Sequence, residues 1–138
     1  MRYLHESVLL NKSYAFAIRI VNMTRFLVTE KKEYILTKQI LRSGTAIGAL
    51  ITESKRAEST LDFIHKLNIA LKEADETQYW ISLLKDTTLI DQKMYVSMSK
   101  DANELIAMLV SSIKTAKANL KKTKSISEIK KSERINEP

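Results

Sequence analysis

Residues 59–84 read STLDFIHKLNIALKEADETQYWISLL, and the spacing of their apolar side chains predicts the fold. Small and apolar residues follow one another there at alternating steps of four and three: Phe63, Leu67, Ala70, Ala74, Thr77, Ile81 and Leu84. A seven-residue repeat is typical of helices that pack in left-handed bundles. Ser59 is a candidate N-cap with Asp62 three residues later, as in a capping box. The stretch therefore predicts a long helix with one buried face.

Apolar spacing predicts three further helices around this one. Their expected extents are about residues 6–28, about 38–57 after Thr37 as N-cap, and about 92–120 after Asp91 as N-cap. The charged, aperiodic residues 29–33 (TEKKE) are expected to form a loop. Because short loops between long helices force neighbours to run antiparallel, we expect an all-α, up-down-up-down four-helix bundle.

Glycine and proline are scarce in the chain. Its 138 residues contain two glycines and one proline, Pro138. Sheets and collagen-like folds depend on these residues, so both classes are excluded. The length suits one domain. We assign residues 1–124 to the bundle and expect residues 125–138, which are polar and weakly periodic, to form a flexible tail.

Two features of the first two helices predict close packing and a further partner. Gly44 and Gly48 lie four residues apart, and each costs about 1 kcal/mol of helix propensity, so another backbone is expected to approach them closely. The first helix has two adjacent apolar stripes: Leu10, Tyr14, Ala17, Val21 and Val28 in one, and Phe16, Ile20, Met23 and Leu27 in the other. Since a four-helix bundle uses one stripe per helix, the second stripe indicates a second partner.

The chain has no cysteine, which excludes disulfides, thiolate zinc sites and cysteine nucleophiles. Its first residues lack the apolar segment of a secretory signal, and no apolar run approaches 18 residues. We therefore expect a cytoplasmic protein without a membrane partner.

The net charge of +7 suits an anionic partner such as nucleic acid. Five lysines and no acidic residue occur between positions 114 and 124, and four of the lysines share one helix face. The alternative interpretation is a solvated helix end whose lysines complement the helix dipole. A second basic surface is expected if the first two helices are neighbours. The candidate nucleic-acid-binding residues are Arg19, Arg25, Lys38, Arg42, Lys114, Lys117, Lys121, Lys122 and Lys124.

The residue pattern gives little support for catalysis or metal binding. Of the two histidines, His5 and His65, only His65 has a carboxylate at metal-site spacing, Asp62, and a di-iron bundle needs a second such motif. Three carboxylates cluster on the third helix, where an ion pair across a helix or subunit interface is favoured over acid–base catalysis: Glu73, Asp75 and Glu76. We expect no catalytic residue, no metal and no cofactor.

Several segments between residues 8 and 118 carry a resemblance to a known family. They are QILRSGTAIG at 39–48, ESKRAE at 53–58, DFIHKL at 62–67 and ALKEADETQYW at 70–80, with YAFAI at 14–18. These segments resemble the bacterial four-helix bundle proteins, also called the intervening-sequence proteins of 23S ribosomal RNA. The chain departs from that pattern at Leu50, where the family often has Asn, and at Ser54, where many members have Gly or Ala. The departure at Leu50 predicts apolar packing in place of a polar contact.

The resemblance implies a ring-like homo-oligomer, pentameric in relatives, with a non-enzymatic role. Members of this family are encoded by open reading frames inside insertions in 23S ribosomal RNA genes, so the resemblance implies a bacterial, ribosome-associated protein. A related branch serves as accessory protein to the reverse transcriptase of diversity-generating retroelements, where RNA binding is implicated. The residues expected to act in helix packing or oligomer contact are Gly44, Gly48, Phe63, Glu73, Glu76 and Trp80.

Three functions follow from these observations. The first is an oligomeric bundle that binds nucleic acid, RNA rather than DNA, through its basic surface. The alternative is a protein-interaction adaptor, such as a reverse transcriptase accessory subunit, that does not itself bind nucleic acid. The third is an enzyme whose site the sequence does not reveal, which a deep polar pocket would support.

Overall fold

The computed structural model describes the backbone of residues 2–135 and the side chains of residues 8–135. Within that part of the chain all regular structure is helical: α1 (Arg2–Lys31), α2 (Ile35–Ser54), α3 (Thr60–Asp86) and α4 (Gln92–Ile135). Each helix packs against the next along the chain, and α4 packs back onto α1. The expected all-α four-helix architecture is therefore confirmed.

Contacts between helices show that neighbours run antiparallel. As residue numbers rise along one helix, they fall along its partner: Lys12–Glu104 is followed by Arg19–Asp101 between α1 and α4, and Arg42–Glu76 by Glu53–Lys66 between α2 and α3. The chain thus runs up, down, up and down, as short connections require.

The core lies along the axis of the bundle. All seven residues of the repeat in α3 are buried, as are Phe16, Ile20, Met23 and Leu27 of α1. Hydroxyl groups also enter the core, and those of Ser43 and Thr77 form a hydrogen bond of 2.9 Å between α2 and α3. Leu50 packs against the core as predicted, while Ser54 is buried and donates to the carbonyl of Ile51.

Both glycines lie where α1 approaches α2 most closely. A Cβ atom on Gly44 would lie 2.7–2.9 Å from three side-chain atoms of Ile20. A Cβ atom on Gly48 would lie 3.4 Å from the hydroxyl oxygen of Ser13 and 3.5 Å from its carbonyl oxygen. The predicted close approach of another helix is confirmed, and α1 is that helix.

Two of the three predicted N-caps are confirmed. The hydroxyl of Ser59 accepts a hydrogen bond from the amide of Asp62, and the carboxylate of Asp91 accepts one from the amide of Met94. The prediction of Thr37 as the cap of α2 is wrong, because α2 begins two residues earlier and another residue caps it.

The cap of α2 is the carboxylate of Glu33. It accepts hydrogen bonds from the amides of Ile35, Leu36 and Thr37, and the Thr37 hydroxyl donates back to Glu33. Burial opposes ionisation of Glu33, but these hydrogen bonds to its charged form outweigh that effect and lower its pKa. One side chain thus satisfies three amides that have no partner within the helix.

Both ends of α1 and the end of α2 also differ from the predicted ones. α1 extends through Lys31, so most of the predicted 29–33 loop is helical, and the turn follows at Lys32, whose φ is 53°. Lysine and glutamate are good helix formers, so a charged segment without glycine or proline can continue a helix. α1 also begins earlier, at Arg2, and α2 ends at Ser54 instead of residue 57.

The last helix is much longer than the bundle needs. α4 has 44 residues, a length of about 66 Å, and its last buried residue is Ala116. Leu120 is half-buried, and every side chain from residue 121 to 135 is exposed. The helix continues through residues 125–135 of the expected tail, and residues 136–138 lie outside the described part. The flexibility of this segment stays a prediction.

Candidate nucleic-acid interface

The predicted row of lysines lies on α4, at and beyond the end of the core. Lys114, Lys117, Lys121 and Lys124 occupy one face of the helix, which we call the lysine face. These four side chains and that of Lys122 are exposed. None of them forms an ion pair with a carboxylate of the side chains that the structure describes, so their charge is free to act on a ligand.

The same helix continues with cations that the sequence analysis did not select. Lys130, Lys131 and Arg134 are exposed on its last turns. Residues 112–138 contain eight of the 23 basic residues and three of the 16 acidic ones, a net charge of +5. The remaining 111 residues carry only +2. The count of charges alone reveals this concentration, but Lys130, Lys131 and Arg134 fall in residues 125–138, for which the sequence predicts a flexible tail.

Arg25 and Lys38 lie together beside a shallow groove between α1 and α2. The groove has a volume of about 320 Å³ and is lined mainly by apolar and threonine side chains: Thr24, Val28, Thr29, Tyr34, Thr37 and Leu41. Arg25 and Lys38 complete its lining, and both are exposed. The structure thus brings together these two residues of the predicted second basic surface.

Arg19 and Arg42, the other two residues predicted for that surface, are paired within the chain. The guanidinium of Arg19 bridges α1 and α4, where it donates to the Asp101 carboxylate, the Ser97 carbonyl and, at 2.6 Å, the Ser97 hydroxyl. These contacts reduce the charge that Arg19 can offer to a ligand.

Arg42 is held by two carboxylates of α3. Its guanidinium donates to Glu76 and, at 3.2 Å, to Glu73. The hydrogen bond from Arg42 lowers the pKa of Glu76, and the same bond raises the pKa of Arg42. The indole of Trp80 also donates to Glu76, at 3.2 Å. These residues join α2 to α3 within one subunit. Of the two predicted alternatives, an ion pair across a helix interface or across a subunit interface, the structure shows the first.

The remaining packing candidates lie in or near the core. Phe63 is buried, and Trp80 is half-buried with its ring edge-on to Tyr79, at 5.0 Å between centroids. Gly44 and Gly48 contact α1 as described above. Glu73 and Glu76 pair with Arg42. These candidates therefore have packing partners within the chain.

The other apolar stripe of α1, from Leu10 to Val28, is only partly covered by the side chains that the structure describes. Tyr14 is 68 % exposed, Val28 is exposed, and Leu10, Ala17 and Val21 are only partly buried. Tyr34, directly before α2, is 53 % exposed and Leu41 of α2 is 38 % exposed, and both lie in the same groove as Val28. We call this stripe and its α2 neighbours the α1–α2 apolar face.

The other residues that could carry chemistry are the histidines, the remaining carboxylates and the charged residues of one further groove. His65 is exposed, and His5 lies outside those residues. No three histidine, cysteine, aspartate or glutamate side chains in residues 8–135 are grouped so as to hold a metal. A groove of about 440 Å³ near the start of α4 contains Lys31, Lys85 and Asp91 among apolar side chains. None of the helices, as far as they are described, has the length and apolarity needed to span a bilayer.

Comparison with known proteins gives a family match. The chain matches the family model described as 23S rRNA-intervening sequence protein over residues 5–111. It is similar to a crystal structure of a protein of unknown function from the S23 ribosomal protein family of Bacteroides thetaiotaomicron, at 53 % identity and a TM-score of 0.79. That similarity covers 80 % of this chain and 98 % of the other. None of the curated proteins matches the sequence. The lysine face therefore lies beyond the region that matches the family.

Proposed function

This chain belongs to the family of 23S rRNA-intervening sequence proteins, and we propose that it is a non-enzymatic, homo-oligomeric bundle that binds RNA through the basic residues of α4. The observation that carries the proposal is the lysine face, four exposed ammonium groups in one row without carboxylate partners among the described side chains. Arg25 and Lys38 provide a second, smaller contact.

The spacing of the lysines suits contact with phosphates. Steps of three, four and three residues place successive ammonium groups about 4.5–6 Å apart along the helix axis. Contacts with phosphate need cations within reach and no particular geometry toward base edges. The proposed binding is therefore electrostatic and tolerant of sequence.

RNA is preferred over DNA because of the family to which the chain belongs. The family is described by its relation to an intervening sequence of 23S ribosomal RNA. A structured RNA of this kind offers the closely spaced phosphates that a row of lysines recognises. The proposal places the protein in the cytoplasm, in association with ribosomal RNA.

The α1–α2 apolar face supports the homo-oligomer, with a pentameric ring as the favoured form. Exposed apolar side chains that lie side by side mark interaction surfaces more often than isolated ones do. A ring closed through this face would bury Tyr14, Val28, Tyr34 and Leu41 against neighbouring subunits. Five copies of a +7 chain would bring about 35 positive charges together, which strengthens attraction to a polyanion.

The test is a salt titration of RNA affinity. Fluorescence anisotropy with a labelled structured RNA is measured for wild type and for the double variant Lys117→Glu and Lys121→Glu. Since each lost phosphate contact reduces the slope of log K against log salt by about 0.7–0.9, the double variant should lower the slope by about 1.4–1.8. Light scattering on the same samples reports the oligomer.

The matched control is Lys72→Glu with Lys100→Glu, which changes the net charge equally at two exposed lysines of the bundle. This control should keep most of the wild-type slope. Absence of RNA binding at about 50 mM salt would refute the proposal, and an equal effect of both double variants would remove the assignment to α4. A monomer by light scattering would refute the ring.

The α1–α2 apolar face also supports the second candidate, a protein-interaction adaptor. A partner such as a reverse transcriptase would then cover Tyr14 and Tyr34 in place of a second copy. Capture of a reverse transcriptase after nuclease treatment, lost on Tyr14→Ser with Tyr34→Ser, would support this function. If that variant kept its RNA affinity, the adaptor function would be distinguished from the RNA-binding function.

A further inference from the structure

The part of α4 beyond Ala116 is an addition to the family bundle. We call residues 117–135 the arm; it has 19 residues and a length of about 28 Å. The family match ends at residue 111, and the similarity to the Bacteroides thetaiotaomicron protein covers 80 % of the chain. Of the arm, only Leu120 packs against the core of the bundle, and every side chain from residue 121 to 135 is exposed.

The charge of the arm points to a polyanion. Residues 117–135 contain seven basic and two acidic residues, while residues 1–111 contain 15 and 13. Glu128 is the carboxylate on the face of Lys121, Lys124 and Lys131, so the strongest positive potential lies before it. The arm therefore concentrates the basic character that the bundle itself lacks.

The composition of the arm favours a duplex over a single strand. Residues 112–138 contain no phenylalanine, tyrosine, tryptophan or histidine. Proteins that bind single strands stack the bases on such rings, whereas duplex RNA hides its bases in a deep, narrow major groove and is recognised through phosphates and 2′-hydroxyls. A row of ammonium groups without aromatic rings can contact the phosphates of a duplex but cannot stack on the bases of a single strand.

Little within the chain stabilises the helix of the arm. Its side chains from residue 121 onward are exposed, so tertiary packing contributes little. Lysines three or four residues apart along a helix repel one another. Phosphates along the lysine face would remove that repulsion.

From these observations we infer that the arm lies along the phosphates of duplex RNA and that its helix is stabilised by this contact. The inference rests on the proposed RNA-binding function and assigns that function to a segment outside the family region. The isoleucines of the arm, Ile126 (46 % exposed) and Ile129 (59 %), lie four and seven residues after Lys122 and on the side of the helix opposite Lys124, and the inferred contact does not involve them.

The experiment uses full-length protein and three probes: an RNA duplex of about 16 base pairs, one of its strands, and a DNA duplex of the same sequence. The arm variant is Lys121→Glu, Lys124→Glu and Lys131→Glu. The matched control reverses three exposed lysines of the bundle, Lys72, Lys93 and Lys100, to glutamate. We expect the arm variant to lose at least about tenfold in affinity for duplex RNA, and the control to lose much less.

Circular dichroism at 222 nm provides a second readout. Helical signal should rise when duplex RNA is added to wild type, and the rise should be absent in the arm variant. The substitutions Ile126→Ser and Ile129→Ser should leave the affinity unchanged.

The outcomes separate the two proposals. Failure of wild type to bind any RNA overturns the proposed function itself. If the arm variant and the control bind RNA equally, the assignment to the arm is overturned, while the proposed RNA-binding function stands. Equal or tighter binding of the single strand or the DNA duplex overturns the choice of duplex RNA, and loss of affinity in the isoleucine variant shows apolar docking instead.

Discussion

Substitution of Gly44 by alanine should destabilise the bundle, although alanine is the better helix former. The new Cβ atom would lie 2.7 Å from Cγ1 and 2.9 Å from both Cδ1 and Cγ2 of Ile20. Ile20 is fully buried, and a β-branched residue in a helix is held in one χ1 rotamer. Since both branches of the side chain are in the way, rotation cannot clear the contact, and α1 must move away from α2.

The expected magnitude follows from two opposing effects. Alanine gains about 1 kcal/mol in helix propensity over glycine. Overpacking of a filled core costs about 1–3 kcal/mol. We expect Gly44→Ala to lower the free energy of unfolding by up to about 2 kcal/mol. Gly48→Ala meets Ser13 at 3.4 Å, an ordinary contact, and should raise that free energy by up to about 1 kcal/mol.

The assay is urea unfolding followed by circular dichroism, at one protein concentration because association would shift the apparent stability. Ile20→Ala in both backgrounds supplies the double-mutant cycle, and it should cost less when residue 44 is alanine, since the extra methyl group occupies part of the cavity. If Gly44→Ala stabilised the protein as much as Gly48→Ala, the close approach of α1 at Ile20 would be refuted.

Three further predictions concern the caps and the polar core. Ser59→Ala should lower the free energy of unfolding by about 1 kcal/mol in the same assay, because the amide of Asp62 loses its acceptor; an unchanged midpoint would contradict the cap. Because the folded-state pKa of Glu33 lies below its ordinary value of 4.5, its stabilisation is present above that pH and is lost on further acidification. Thermal melts of Glu33→Gln between about pH 6 and 3 should therefore show a shallower loss than wild type, and identical slopes would argue against the cap. Thr77→Val should destabilise by about 1–3 kcal/mol because it leaves the buried Ser43 hydroxyl without its partner, and added Ser43→Ala should restore part of the loss.

Sequence reasoning could predict those parts of the fold that depend on neighbours along the chain. The repeat from Phe63 to Leu84 is buried throughout, and the caps at Ser59 and Asp91 form because each needs an amide only three residues away. The predicted start of α2 is wrong because threonine is a common N-cap, which favours Thr37. The longer side chain of Glu33 instead reaches three amides of the first turn.

In the candidate site, too, features within one helix could be predicted from the sequence, and contacts between helices could not. The lysine face depends only on spacing within one helix, so it could be predicted. The pairing of Arg19 with Asp101 and of Arg42 with Glu76 joins residues 82 and 34 positions apart, and only tertiary structure brings them together. The helix over residues 121–135 could not be recognised from periodicity, because a helix whose side chains are all exposed has no apolar stripe to reveal it.

The order of the helices around the bundle has a consequence for folding kinetics. Every interface except that between α1 and α4 joins helices that are consecutive in sequence. Contacts between consecutive helices close short loops and form early, while joining Lys12 to Glu104 requires closure of a loop of about 90 residues. We therefore expect the α2–α3 hairpin to precede the docking of α1 on α4. The last step of folding is then the formation of the α1–α4 interface, whose ion pairs join residues from the beginning and the end of the bundle sequence.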